Sequence, residues 1–344
     1  MATDLAEAPR PEAFFATKKG VPVACPAPAG PIADSHTHLT CLSGGLTPAV
    51  AIARDALAGV GLIVTVVDPT DDARDPEALL GALRDWGAEA RAVLDGWGMR
   101  SVAVPRVRLL VGCHPHNARL FDRAAHEAMR ALLEAPECAG VGEIGLDYHY
   151  DLSPRVTQLA VFEEQLELAA ALDAPVSLHV REAHADAAEV LRRVGTPGAG
   201  AVMHCFDLDL ATLLTFRDLG CRFGIGGAVT FNAMGQLREA VTSPECLAGL
   251  LLTETDSPYM APVPLRGTPC EPAYIAVTCD YLATLRAGAL GEDRGALYEA
   301  FARNAREVFD ARHGFAVPGS FGELSQPPVA TAEGTAGQAG GGRP

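Results

Sequence analysis

Short apolar runs alternate with amphipathic segments along most of the chain, and this alternation predicts a ring of strands wrapped by helices. Strands are expected at about 31–38, 61–68, 107–114, 140–146, 175–180, 200–206, 221–226 and 250–255. Several of them, such as Gly61-Leu-Ile-Val-Thr-Val-Val67 and Val107-Arg-Leu-Leu-Val111, are continuous apolar runs, as parallel strands buried on both faces require. Helical patterns follow at about 47–58, 76–95, 122–134, 155–172, 183–193, 208–218, 233–241 and 271–286, with a closing helix near 294–311. The clearest is Val156–Leu172, where Leu159, Phe162, Leu166, Ala169 and Ala170 recur at helical spacing between glutamates. Ser153-Pro154 offers it a cap and a first-turn proline. Eight strand–helix alternations predict an α/β fold of the TIM-type (β/α)8 barrel kind, in a distorted form, over an open doubly wound sheet. The open sheet would need a glycine-rich phosphate loop after its first strand, and Ser43-Gly44-Gly45 is too short to be one.

Composition sets the limits of that barrel. Residues 1–30, rich in Ala, Pro and charge, read as a poorly ordered or surface-wrapped lead-in. The barrel is expected over 31–312, and 313–344 read as a disordered tail that cannot bury apolar surface. No run approaches the ~20 apolar residues of a membrane span, so no membrane association is expected. Nine scattered cysteines without a Cys-x-x-Cys predict reduced core thiols and a cytoplasmic address. The net charge of −16 makes non-specific binding to duplex nucleic acid unfavourable, because phosphate binding rests on Lys and Arg. It leaves room for a nucleic-acid substrate held locally by metal ions and a few arginines. No obligatory protein partner is evident.

The candidate chemistry sits at the carboxyl ends of the expected strands. His36 and His38 share one face of strand one, since residues two apart point the same way. Glu143 follows Val141-Gly142, His179 ends Pro175-Val-Ser-Leu-His179, and His204 ends Val202-Met-His204. Asp256 closes the last run before Pro258. Singly, each has a plainer reading as a hydrogen-bonded core histidine, a salt-bridged glutamate or an N-cap aspartate. Together, four histidines and two carboxylates at the ends of strands one, four, five, six and eight point to a site for two divalent ions, with histidine-rich donors favouring Zn or Mn over Mg. In this reading Glu143 bridges the ions and Asp256 is the catalytic base. No lysine follows Lys19, so a carboxylated lysine cannot be the bridge. His114, in Gly112-Cys-His-Pro-His116, together with Arg181 and Arg266, is placed against the substrate, because histidine and arginine forks suit phosphate oxygens. Glu254, alternating with Asp256, is left as either a supporting residue or barrel interior.

These motifs resemble the TatD family of metal-dependent deoxyribonucleases. The likeness is carried by Asp34-Ser-His-Thr-His-Leu39, Gly112-Cys-His-Pro-His116, Gly142-Glu-Ile-Gly-Leu-Asp-Tyr148 and Pro175-Val-Ser-Leu-His-Val-Arg181. It continues in His204-Cys-Phe206, Glu254-Thr-Asp-Ser-Pro-Tyr259, Pro264-Leu-Arg-Gly267 and Phe301-Ala-Arg-Asn304, spanning about 33 to 311. The resemblance implies a TIM-like barrel, divalent metal on the six residues above, and hydrolysis of DNA phosphodiesters, often from a 3′ end. Single-stranded ends are the expected partner. The alternative is a metal-dependent amidohydrolase or esterase acting on a small molecule or aminoacyl ester. Departures from the family pattern are Cys270 before Glu271-Pro272, Asp207-Leu208 after the histidine motif, and a long second unit between Pro69 and Pro105.

Overall fold

Eight parallel strands pair in chain order to form one sheet. They are β1 (Ile32–Thr37), β2 (Val60–Val67), β3 (Arg106–Val111), β4 (Cys138–Asp147), β5 (Val176–Arg181), β6 (Ala201–Met203), β7 (Cys221–Ile225) and β8 (Leu251–Thr253). The structure, a computed structural model, describes residues 8–317. The sheet nearly closes on itself where β8 returns to β1. There the Thr253 hydroxyl donates to the Ala33 carbonyl at 3.1 Å. Beyond the strand ends, Asp256 N–H donates to His36 O and His38 N–H to Ser257 O, each at 2.9 Å. The architecture is therefore the expected TIM-type (β/α)8 barrel, and the gap in the ladder is its distortion.

Nine helices surround the described barrel: α1 (Pro48–Leu57), α2 (Pro76–Gly96), α3 (Arg123–Leu133), α4 (Arg155–Leu172), α5 (His184–Val194), α6 (Leu210–Asp218), α7 (Gly235–Val241), α8 (Ile275–Leu290) and α9 (Arg294–Phe309). Asp75, Asp122, Asp209 and Asp293 cap four of them with side-chain oxygens on backbone N–H groups, satisfying donors that a helix start leaves orphaned. The expected helix over 271–286 begins later, at Ile275, after a turn at Pro272–Tyr274, and runs on to Gly291 in the left-handed conformation. Ser153 does not cap α4. Its hydroxyl instead donates to His116 O at 2.8 Å and accepts from Arg119 N–H at 3.2 Å, tying the loop after β3 to the loop after β4.

β6 and β8 are shorter than the apolar runs implied. The chain turns left-handed at Cys205 (φ 45°) and Asp256 (φ 54°), which ends regular pairing there. His204 and Asp256 therefore stand on departing turns, whereas His36, Glu143 and His179 lie within strands.

Outside the barrel, Phe15–Ala16 pairs antiparallel with Pro22–Val23 in a small hairpin. Phe14 and Phe15 are buried, with the Phe15 ring edge-on to Tyr274 at 4.9 Å. Arg54 of α1 donates to the Phe14 carbonyl at 2.8 Å and lies over its ring. At the other end packing continues past 312, with Phe315 and Val317 buried. The rest of the expected tail, 318–344, lies outside the described residues, as do residues 1–7. Among the described residues no helix is long and apolar enough to cross a membrane.

Candidate metal centre

Glu143 is the hub of the barrel mouth. It reaches that place because β4 carries glycine where β5 must come close. A Cβ on Gly142 would stand 2.8 Å from Ser177 Cβ, and one on Gly145 (φ 145°) would overlap the His179 carbonyl. With both positions bare, β4 and β5 lie close enough for His179 Nδ1 to stand 2.6 Å from Glu143 Oε1. His114 Nε2 and His204 Nε2 approach the same oxygen at 3.6 and 3.7 Å. The second oxygen faces His36 Nε2 at 3.3 Å and His38 Nε2 at 3.9 Å. Asp256 Oδ1 joins from the far side, 3.5 Å from His38 Nε2 and 3.7 Å from His204 Nε2. All six residues singled out in the sequence thus converge.

Burial alone would raise the Glu143 carboxyl, but His204, His114, His36 and His179 around it hold it well below the usual carboxylate range. Burial pushes His36 down, helped by the neighbouring His204, so its imidazole stays neutral. His36 Nδ1 is 3.0 Å from the Ser177 hydroxyl, whereas buried Nε2 has no hydrogen-bond partner. A neutral imidazole with Nδ1–H donating to Ser177 directs its free Nε2 lone pair at the Glu143 side. An orphaned ring nitrogen among imidazoles and carboxylates fits a borderline divalent cation. Donor atoms within 4.8 Å of one another occur in the trios His36–His38–Glu143, His36–His204–Glu254, His204–Cys205–Asp256 and His114–His116–His179.

The residues assigned to substrate separate. His114 belongs to the cluster itself, with Nε2 3.3 Å from His179 Nδ1. Arg181 projects from the exposed end of β5 and lies over the Tyr150 ring at 4.8 Å. Arg266, on the loop leaving β8, lies over Phe231 at 4.2 Å. Neither arginine touches Glu143.

Three orienting groups complete the site. Ser177 holds His36. Glu254 Oε1 lies 3.0 Å from His204 Nδ1 and takes the Cys205 N–H. Asp147 Oδ2 stands 3.1 Å from His179 Nε2 and 2.9 Å from His116 Nε2. Burial raises Asp147, yet its bonds to His179 and the Tyr150 N–H keep it strongly acidic. Ser177 and Asp147 sit two and four residues from His179 and Glu143 on their own strands, Glu254 lies two residues before Asp256 just past β8, and each supports a histidine supplied by another element. The sequence alone leaves Glu254 open and does not single out Ser177 or Asp147; strand alternation is the signal for both. Gln158 of α4 brackets the Asp147 backbone, accepting its N–H at 2.8 Å and donating to its carbonyl at 3.1 Å. Replacing Asp147 with Ala is expected to weaken metal binding about 10- to 100-fold by freeing the His179 ring. Titration of the metal-free protein with Zn or Mn checks this, and an unchanged dissociation constant would remove Asp147 from the site.

Residues 33–310 match the family model described as TatD related DNase. The chain belongs to the TatD family. Among its relatives, the protein of Mycobacterium tuberculosis called uncharacterized metal-dependent hydrolase TatD is 33% identical over 260 residues, covering 73% of this chain and 89% of its own length. The Pantoea vagans protein named 3′-5′ ssDNA/RNA exonuclease TatD is 38% identical over 203 residues, 58% of this chain and 76% of that one. The crystal structure of YjjV, a TatD homologue from Escherichia coli, superposes with a TM-score of 0.66 at 26% identity, over 82% of this chain and 98% of that one. Metal-dependent hydrolysis is thus the shared character of the TatD relatives, and the histidine–carboxylate cluster is able to bind metal. The TatD match begins after the amino-terminal hairpin.

Proposed function

We propose that this chain hydrolyses DNA phosphodiester bonds with two divalent ions, trimming single strands from the 3′ end. The observation carrying the proposal is Glu143, whose two oxygens face different histidines supplied by separate elements of the barrel. His36, His38 and Asp256 with Glu143 would hold one ion, and His179 and His204 with Glu143 the other. Bound there, such ions supply Lewis acidity and bring the pKa of water towards about 7. Asp256, largely buried but reaching the mouth, is the group placed to accept the proton of the attacking water. Arg181 stands at the rim, where a phosphate oxygen can take its planar fork. DNA as substrate is supported by the family description and by the printed name of the Pantoea vagans relative. Single-strand preference is supported by that name too, and by a net charge of −16, which opposes close approach of a rigid duplex.

The test is removal of metal with a chelator, followed by add-back of Mg, Mn and Zn. Substrates are 5′-labelled single strands, the matching duplex, and a panel of esters and amides. Stripping should abolish cleavage, and add-back should restore a ladder shortening from the 3′ end. Turnover of esters or amides with intact DNA would transfer the site to an amidohydrolase or esterase.

A further inference from the structure

The only two lysines of the chain, Lys18 and Lys19, occupy the exposed tip of the amino-terminal hairpin. The tip is a defined turn. Gly20 N–H donates to Thr17 O at 2.7 Å, Thr17 N–H to Val21 O at 2.9 Å, and Val21 N–H to the Thr17 hydroxyl at 3.1 Å. Gly20 takes φ 74°, a conformation that suits glycine. Its base is anchored by buried Phe14 and Phe15 against Tyr274 and Arg54. So held, the tip lies against the loop leaving β8. A Cβ on Gly267 would meet the Lys18 Cδ at 3.5 Å, which puts the Lys18 stem beside Arg266.

Lys18 and Arg266 therefore lie together beside the loop that begins at Asp256, with Lys19 next to Lys18 on the same exposed hairpin tip, in a protein with 43 acidic and 27 basic residues. Elsewhere arginines such as Arg54, Arg108 and Arg286 are held by carboxylates. Among the described residues, neither lysine nor Arg266 has a carboxylate within ion-pair distance, so their charge is free to meet an external anion. The same loop exposes Tyr259, whose ring stands edge-on to His38 at 6.4 Å, so it leads from the cationic tip to the metal centre.

We propose that the hairpin is a phosphate-contacting arm, in which Lys18, Lys19 and Arg266 grip the backbone of a single-stranded nucleic acid away from the bond being cut. This rests on the nuclease reading. The ligand is a run of phosphodiesters, recognised by charge and not by base, and the arm supplies a local anchor in an otherwise repulsive field.

The test compares wild type, Lys18→Ala/Lys19→Ala and Lys18→Arg/Lys19→Arg on a long single strand and on a dinucleotide, whose one phosphate lies at the metal centre. For the alanine pair, KM on the long strand should rise roughly 10-fold with kcat retained, and the dependence of log KM on log salt should flatten by about 0.7 per lost phosphate contact. The arginine pair should restore both, and the dinucleotide should not distinguish the three proteins. Wild-type KM and salt slope in the alanine pair would overturn the arm while leaving the nuclease standing. Failure of the wild type to cut any strand would overturn the nuclease reading, and the arm with it.

Discussion

Glu143→Gln is expected to lower hydrolysis by on the order of a thousandfold, the loss typical when one preorganised charged group is removed from a water-poor site. Glutamine preserves shape and both polar atoms, so the strand need not move. What it removes is the negative charge that imidazoles from several elements surround. In the native protein those rings hold the carboxyl ionised despite nearly complete burial. A neutral amide cannot bridge two divalent charges, so the loss should appear first as metal content. Elemental analysis of the purified variant should show depleted metal, and kcat/KM on a single-stranded substrate should stay depressed when Mn or Zn is supplied in excess. Full metal occupancy with native turnover would exclude Glu143 as the bridge.

Asp256→Asn should cost about 10²- to 10⁴-fold in kcat, the range expected when a general base is lost. Fold should survive, because asparagine tolerates the left-handed backbone at this position and keeps the N–H that bonds His36 O. The variant separates the proton-accepting role from architecture: a melting temperature close to native with turnover near background supports it. Undiminished turnover would refute the assignment. The carboxylate oxygen facing His38 and His204 at 3.5 and 3.7 Å also predicts some loss of metal, so metal content must be measured beside the rate.

Much of this protein is legible in its sequence. Continuous apolar runs identify buried parallel strands, and amphipathic segments between them identify a wrapped barrel, because both patterns depend only on neighbours along the chain. The absence of lysine beyond position 19 pointed to a glutamate in place of a carboxylated lysine without geometry. Helix starts were less legible. The helical pattern begins at 271 in the sequence, but the chain spends Pro272–Tyr274 in a tighter turn before the helix proper. Arg181 follows His179 at the spacing of a shared face, yet at the open end of β5 its long side chain swings over Tyr150.

By itself the sequence determined the order of strands and helices, the family, and the six polar side chains at strand ends. Only the tertiary structure decided that His114 joins the cluster, that Ser177, Asp147 and Glu254 steady its rings, and that Lys18 lies against Gly267 from the opposite end of the chain. The physical reason is that periodicity tells which way a side chain faces. Which other side chain it meets depends on register between strands, on barrel closure, and on where a buried pair of phenylalanines pins a hairpin.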